Sequence, residues 1–132
     1  MARGLPDALQ LREIKYGSKT SLEVRRSVAR RMAEAGRFAE ALDLFLLAGD
    51  EEGEAELRRR ANEEGHPILL LILRRAGRNI SRDEWRQAAQ AAARAGRWRE
   101  AFRCHTEAGD EEGLAEIREK LPDYSIYTPP GK

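Results

Sequence analysis

The chain has 132 residues, of which 36% are charged and 6% are aromatic, and its formal net charge is +1. This length fits one domain with a modest core, and this charge gives no general attraction to nucleic acid or to an anionic membrane. The single cysteine excludes an intrachain disulfide. The longest apolar run, residues 68–73, is far shorter than the ~20 residues that cross a bilayer, and the first ten residues lack the apolar stretch of a signal peptide. We expect a cytoplasmic protein.

The first half of the chain contains three predicted helices separated by glycines. Residues 6–16 form the first, which ends before Gly17. Helical spacing of apolar side chains predicts the second over residues 21–35, with Ser21 as its N-cap. A third helix follows Gly36 at once and ends before Gly49, so these two helices form a hairpin with a tight turn. The apolar residues that define the pair are Val24, Val28 and Met32 in one helix and Phe38, Ala41, Leu42 and Phe45 in the other.

The remaining elements continue this pattern to residue 121. A weaker hairpin is predicted from helices at 51–64 and 67–76, joined at Gly65. A clear hairpin follows, with Ser81 as N-cap and its turn at Gly96. The last helix covers 111–121, and Asp50 and Asp110 are placed to cap the helices that follow them. The sequence therefore predicts an all-α chain of eight short helices without strands.

The two clear hairpins have closely similar sequences. Residues 35–57 and 95–117 align without gaps and are identical at thirteen of 23 positions. Such self-similarity is typical of repeat architectures, in which each unit buries its apolar stripe against its neighbours. We therefore expect one helical-repeat domain over residues 1–121, with its strongest repeats at 21–50 and 81–110. The proline-rich segment 122–132 cannot continue the last helix past Pro122.

The turn and second helix of each clear hairpin resemble the tetratricopeptide repeat. That family has glycine before the second helix, then an aromatic residue, then Glu-Ala and further small residues. The resemblance implies an α-α superhelix, right-handed, of about four stacked antiparallel hairpins, and a protein-interaction scaffold without catalytic residues. The matching residues are Gly36, Phe38, Glu40, Ala41 and Ala48 in one copy and Gly96, Trp98, Glu100, Ala101 and Ala108 in the other.

Several positions depart from that family. The repeat length here is near 30 residues, where the family has 34. Gly-Asp replaces the proline that usually closes the second helix, and Arg25 stands where Trp85 stands in the other copy. A related α-solenoid, of clathrin or HEAT type, therefore stays open as an alternative.

The sequence carries no recognisable catalytic or metal-binding motif. Cys104 and His105 are adjacent on a predicted helix, so their side chains point ~100° apart, and Leu44 and Phe45 occupy the equivalent positions. Packing therefore explains them better than metal binding does. The acids in "GDEEG" are consecutive, unlike the alternating ligands of a calcium loop, and acids suit the first turn of a helix. We expect no enzyme activity, no cofactor and no metal.

The binding surface is predicted on the first helices of the pairs, beside their apolar stripes. A groove of arginines and amides there would suit an acidic peptide, because guanidinium groups bind carboxylates in two-point contacts. The alternative is that these arginines pair with acids of adjacent repeats. The predicted peptide-binding residues are Arg26, Arg30, Arg59, Asn62, Arg86, Gln90 and Arg94.

The expected function is a protein- or peptide-binding adaptor. A self-assembling structural subunit, and hence a homo-oligomer, is the second hypothesis. Nucleic-acid binding is the third and weakest hypothesis. Residues 74–103 hold nine arginines and three acids, but the tryptophans interleaved with them, Trp85 and Trp98, are expected in the core. Trp98 is expected at the junction of its two helices, where its replacement by alanine would cost ~3–5 kcal/mol.

Overall fold

A computed structural model describes residues 5–16 and 21–120 of the chain, and every regular element within them is an α-helix. The predicted all-α fold with eight helices is therefore confirmed for this part of the chain. Gly17, the predicted last helical residue Leu121 and the segment 122–132 lie outside the described residues. The helices are α1 (Ala8–Tyr16), α2 (Leu22–Glu34), α3 (Phe38–Ala48), α4 (Glu51–Glu64), α5 (Pro67–Arg75), α6 (Arg82–Arg94), α7 (Trp98–Ala108) and α8 (Glu111–Lys120).

The predicted caps are in place at the start of four helices. The Ser21 and Ser81 hydroxyls each accept a hydrogen bond from the backbone N–H three residues later, at 3.1 Å. Asp50 and Asp110 do the same with one carboxylate oxygen, at 3.2 Å. Each cap satisfies a backbone donor that the first turn leaves unpaired, and the two copies use it identically.

The first helix begins at Ala8, two residues later than expected. Asp7 accepts a hydrogen bond from the Gln10 N–H, and the Gln10 side chain accepts one from the Asp7 N–H. This reciprocal capping box fixes the start of α1. At the other end, the Arg25 guanidinium donates to the carbonyls of Ile14 and Lys15. Arg25 therefore stabilises the C-terminus of α1, which explains why an arginine replaces tryptophan at this position.

The predicted glycine turns also form as expected. Gly36, Gly65 and Gly96 adopt left-handed conformations with φ of 80°, 79° and 74°. After each one, the next residue donates its N–H to the carbonyl five positions earlier. This bond closes the helix end and lets the next helix start within one further residue.

These short turns produce three antiparallel helix pairs. α2 packs on α3, α4 on α5 and α6 on α7, with α1 against α2 and α8 against α7. The second helices form a layer, because α5 contacts both α3 and α7. Each second helix also contacts the first helix of the next pair. One main core runs through this stack from Val28 to Ala108, and a smaller cluster joins α6, α7 and α8.

The central pairs are held together by a close backbone contact between α4 and α6. A Cβ placed on Gly65 would lie 2.5 Å from the Ala92 nitrogen and 2.6 Å from the Ala88 oxygen, so only glycine fits. Arg97 reinforces the same junction by donating to the carbonyls of Gly65 and Glu64. The first helices of these two pairs are thus in direct contact.

Trp85 is buried as expected, whereas Trp98 and Val24 are more exposed than the sequence predicts. Trp85 is 2% exposed within the main core, with the Arg74 guanidinium 5.5 Å from its ring centre. Trp98 lies at the predicted junction but is only half buried, packed against Ala92, Ala101 and Ile117. Val24, expected in the apolar stripe of α2, is 45% exposed. It lies in the first turn of α2.

Candidate functional site

A groove opens between α2 and α4, on the face of the molecule formed by the first helices. Its volume is about 310 Å³. Ala33, Phe45 and Leu57 supply apolar surface, and charged side chains from α2 and α4 surround it. The lining residues are Arg30, Ala33, Glu34, Phe45, Glu52, Gly53, Glu56, Leu57 and Arg60.

A second groove, of about 490 Å³, opens between α6 and α8. Every residue that lines the first groove has a counterpart 60 positions later that lines the second. The two openings are therefore the same structural feature in the two clear hairpins, whereas α4 and α6 are in direct contact. The second groove is lined by Arg86, Gln90, Ala93, Arg94, Trp98, His105, Asp110, Glu112, Gly113, Glu116, Ile117 and Lys120.

An aromatic ring on a glycine forms the base of each groove. The Phe45 ring lies against the backbone of Gly53, where an added Cβ would be 2.3 Å from a ring carbon. The His105 ring takes the same position on Gly113, with the corresponding distance 2.2 Å to Nδ1. The second glycine of each "GDEEG" is therefore required by this ring contact. His105, at 6% exposure, is a buried polar group where the first copy has a phenyl ring.

The cap aspartates connect the grooves to the predicted arginines. Oδ2 of Asp50 lies 4.0 Å from Nε of Arg26 and 3.9 Å from the Arg30 guanidinium. Oδ2 of Asp110 lies 3.6 Å from Nε of Arg86 and 3.1 Å from Nδ1 of His105, the latter without hydrogen-bond alignment. The pKa of Asp110 lies below its usual value, mainly because its carboxylate accepts a hydrogen bond from the Gly113 N–H. Electrostatic attraction to His105 and Arg86 lowers it further.

The structure brings four of the seven predicted binding residues into the grooves. Arg86, Gln90 and Arg94 line the second groove and Arg30 lines the first, while Arg26 faces Asp50. The alternative prediction, in which these arginines pair with nearby acids, fits Arg26, Arg30 and Arg86. Each of them lies close to a cap aspartate. Within the described residues, Arg94 is free of ion pairs.

The remaining two predicted residues lie outside both grooves. Arg59 pairs with Glu56 and Glu63 on its own helix. Asn62 is partly covered, and its side-chain oxygen is buried without a hydrogen-bond partner. Sequence reasoning missed the ring-on-glycine contacts and the glutamates of the rims, although the repeated "GDEEG" was a signal for them.

Cys104 and His105 lie in different surroundings although they are adjacent in the chain. The Cys104 side chain is fully buried in the main core, whereas His105 faces Gly113. Burial raises the pKa of the Cys104 thiol to about 12, so the thiolate is scarce at neutral pH. Among residues 5–16 and 21–120, no three His, Cys, Asp or Glu side chains are grouped so as to hold a metal ion.

We expect native protein at pH 8 to react only slowly with a thiol reagent such as Ellman's reagent. The reason is that Cys104, with a pKa near 12 and no exposed surface, must first be uncovered by unfolding. Absorbance at 412 nm should rise slowly in buffer and at once in guanidinium chloride. Complete reaction of folded protein within minutes would contradict this placement of Cys104.

The opposite face of the stack carries an apolar surface on α3 and α5, which we call the outer patch. Ile68 is 58% exposed and Leu47 43% exposed, and half-buried leucine and isoleucine side chains adjoin them. The second copy has Thr106 and Glu107 where the first has Leu46 and Leu47, so this patch is confined to the first half of the stack. Its members are Leu46, Ile68, Leu71 and Ile72, which line one shallow cleft, and the exposed Leu47, which follows Leu46 on α3.

None of the helices described is both long enough and apolar enough to span a bilayer. Comparison of the chain with protein-family models, with curated proteins and with solved structures gave no match.

Proposed function

We propose that this chain is a non-catalytic, cytoplasmic adaptor that binds segments of other proteins in the two grooves of its first-helix face. The observation that carries the proposal is the pair of equivalent grooves, each open to solvent and each with apolar surface inside a charged rim. An apolar centre with a polar rim is the usual composition of a protein-binding surface. A tetratricopeptide-like superhelix, in which the first helices line the inner face, is part of the same proposal.

The second groove fits the acidic peptide expected from the sequence. Arg94 and Lys120 line this groove and have no ion-pair partner among the described residues. Arg86 also lines it and faces Asp110. Trp98 adds aromatic surface beside them. Unpaired cations next to apolar surface favour a segment that carries carboxylates and apolar side chains.

A random twelve-residue peptide library displayed on phage tests the proposal. We expect peptides enriched on the wild-type protein to be lost on the variant Ala33→Gln plus Ala93→Gln, because these equivalent alanines line the two grooves and a longer side chain would fill them. Leu47→Gln, on the outer patch, is the matched control and should retain the peptides. Circular dichroism should show equal helix content in all three proteins. Equal peptide capture by the groove variant would refute the proposal.

The outer patch supports self-assembly as a second candidate function. A cluster of exposed leucine and isoleucine side chains is typical of a protein–protein contact. If the patch joins copies of this chain, light scattering should show an oligomer that Leu47→Glu plus Ile68→Glu converts to monomers. A wild-type monomer at all concentrations would exclude this candidate.

Nucleic-acid binding receives less support from the charges. Five of the nine arginines from residue 74 to 103 already have an acidic partner: Arg74 and Arg103 contact Glu107, Arg78 contacts Glu54, Arg86 faces Asp110 and Arg97 contacts Glu100. Paired arginines release few counterions on meeting a phosphate backbone, which weakens that mode of binding.

A further inference from the structure

The two grooves are alike in position but opposite in charge at one end. Glu34 occupies the last turn of α2, and its counterpart Arg94 occupies the last turn of α6. A cation is favourable there because the helix dipole places partial negative charge at the C-terminus, and an anion is unfavourable. Glu34 has no ion pair with any described residue.

The cations of the α2/α4 groove are already engaged. Arg30 lies 3.9 Å from the buried Asp50. Arg60 lies 3.5 Å from both Glu56 and Glu64, and its guanidinium stands 5.2 Å from the centre of the Phe38 ring. Neither arginine is therefore available to neutralise a glutamate at the ends of the groove.

Two carboxylates of this groove remain without a cation. Glu52, in the first turn of α4, is exposed and, like Glu34, makes no ion pair within the described part of the chain. Because α2 and α4 are both antiparallel to α3, Glu34 and Glu52 lie at opposite ends of the groove. Between them is the apolar surface of Ala33, Phe45 and Leu57.

We propose that the α2/α4 groove binds a basic segment of a partner protein, with a lysine or arginine near each glutamate and an apolar side chain between them. This inference deepens the proposed function and rests on it. The α4 residues that line the groove run from Glu52 to Arg60, about 12 Å of helix. In an extended peptide, alternate side chains share a face, and residues i and i+4 are about 13 Å apart.

The length of the groove along α4 therefore suits this pattern in the partner: basic, any, apolar, any, basic. The apolar side chain and the methylene stems of the basic residues would cover Phe45 and Leu57. The α6/α8 groove would not select this pattern, because Arg94 replaces Glu34 and His105 replaces Phe45. The two grooves would then prefer opposite charges at the end that Glu34 occupies in one groove and Arg94 in the other.

The test uses three fluorescein-labelled peptides with blocked C-termini: Gly-Lys-Ser-Leu-Ser-Lys-Gly and the versions in which glutamine or glutamate replaces both lysines. Fluorescence anisotropy of each peptide is measured with the full-length protein. We expect the lysine peptide to bind about five- to tenfold more tightly than the glutamine peptide, which is the size that two exposed ion pairs allow. We also expect this preference to decrease with added salt.

Variants locate the preference. Glu34→Gln plus Glu52→Gln should abolish it, and since both side chains are exposed and without ion pairs the fold should not change. Glu112→Gln plus Glu116→Gln, which removes two rim carboxylates of the other groove, is the matched control and should keep it.

Each outcome decides between the two proposals. Binding of all three peptides with equal affinity, or loss of the lysine preference only in the control variant, would overturn the basic-segment inference while leaving peptide binding intact. No binding of any of the three peptides would overturn the inference, and the display experiment would then decide separately whether the grooves bind other sequences.

Discussion

Replacing Gly65 with alanine should lower the free energy of unfolding by about 2–5 kcal/mol, because it adds two costs. The left-handed backbone conformation costs a non-glycine residue about 1–2 kcal/mol. The new methyl would also collide with the backbone of α6, at Ala88 and Ala92, and separating packed helices costs a further 1–3 kcal/mol, roughly.

Gly36→Ala is the matched control for this substitution. Gly36 has nearly the same φ, but a Cβ there would meet nothing within 4 Å, so only the conformational cost of about 1–2 kcal/mol applies. Urea unfolding followed by circular dichroism measures both variants. Equal losses at the two positions would mean that α4 and α6 are not in contact at Gly65.

The second large effect is expected at Trp85. Its side chain is 2% exposed in the main core, so Trp85→Ala should cost about 3–5 kcal/mol. Trp98 is only half buried, and we expect Trp98→Ala to cost clearly less, contrary to the expectation from the sequence. The comparison requires only the two unfolding midpoints. A larger loss at Trp98 than at Trp85 would contradict the burial described for both residues.

The helices and their ends could be predicted because they depend on local chemistry. Ser21 and Asp50 cap helices through hydrogen bonds to residues only three positions away, and Gly36 ends one through its own backbone conformation. The position of Ala8 as the start of α1 was missed, although the responsible Asp7–Gln10 exchange is equally local.

The grooves could not be predicted because they depend on how pairs of helices are spaced. The contact of Gly65 with Ala88 and Ala92 closes the α4–α6 junction, and no feature of the sequence near Gly65 shows this. The sequence also does not show which way the Arg59 side chain points. Whether it lines a groove or pairs with Glu56 and Glu63 depends on side-chain geometry.

Photocrosslinking in the native host tests peptide binding in the grooves most directly. A photoreactive amino acid is placed at Gln90, which is exposed in the α6/α8 groove, or at Leu47 on the outer patch. We predict that illumination links the protein to a different polypeptide from position 90, that Ala93→Gln removes this product, and that position 47 gives none. Crosslinks from position 47 alone, unaffected by Ala93→Gln, would show that the outer patch and not the grooves is the binding surface.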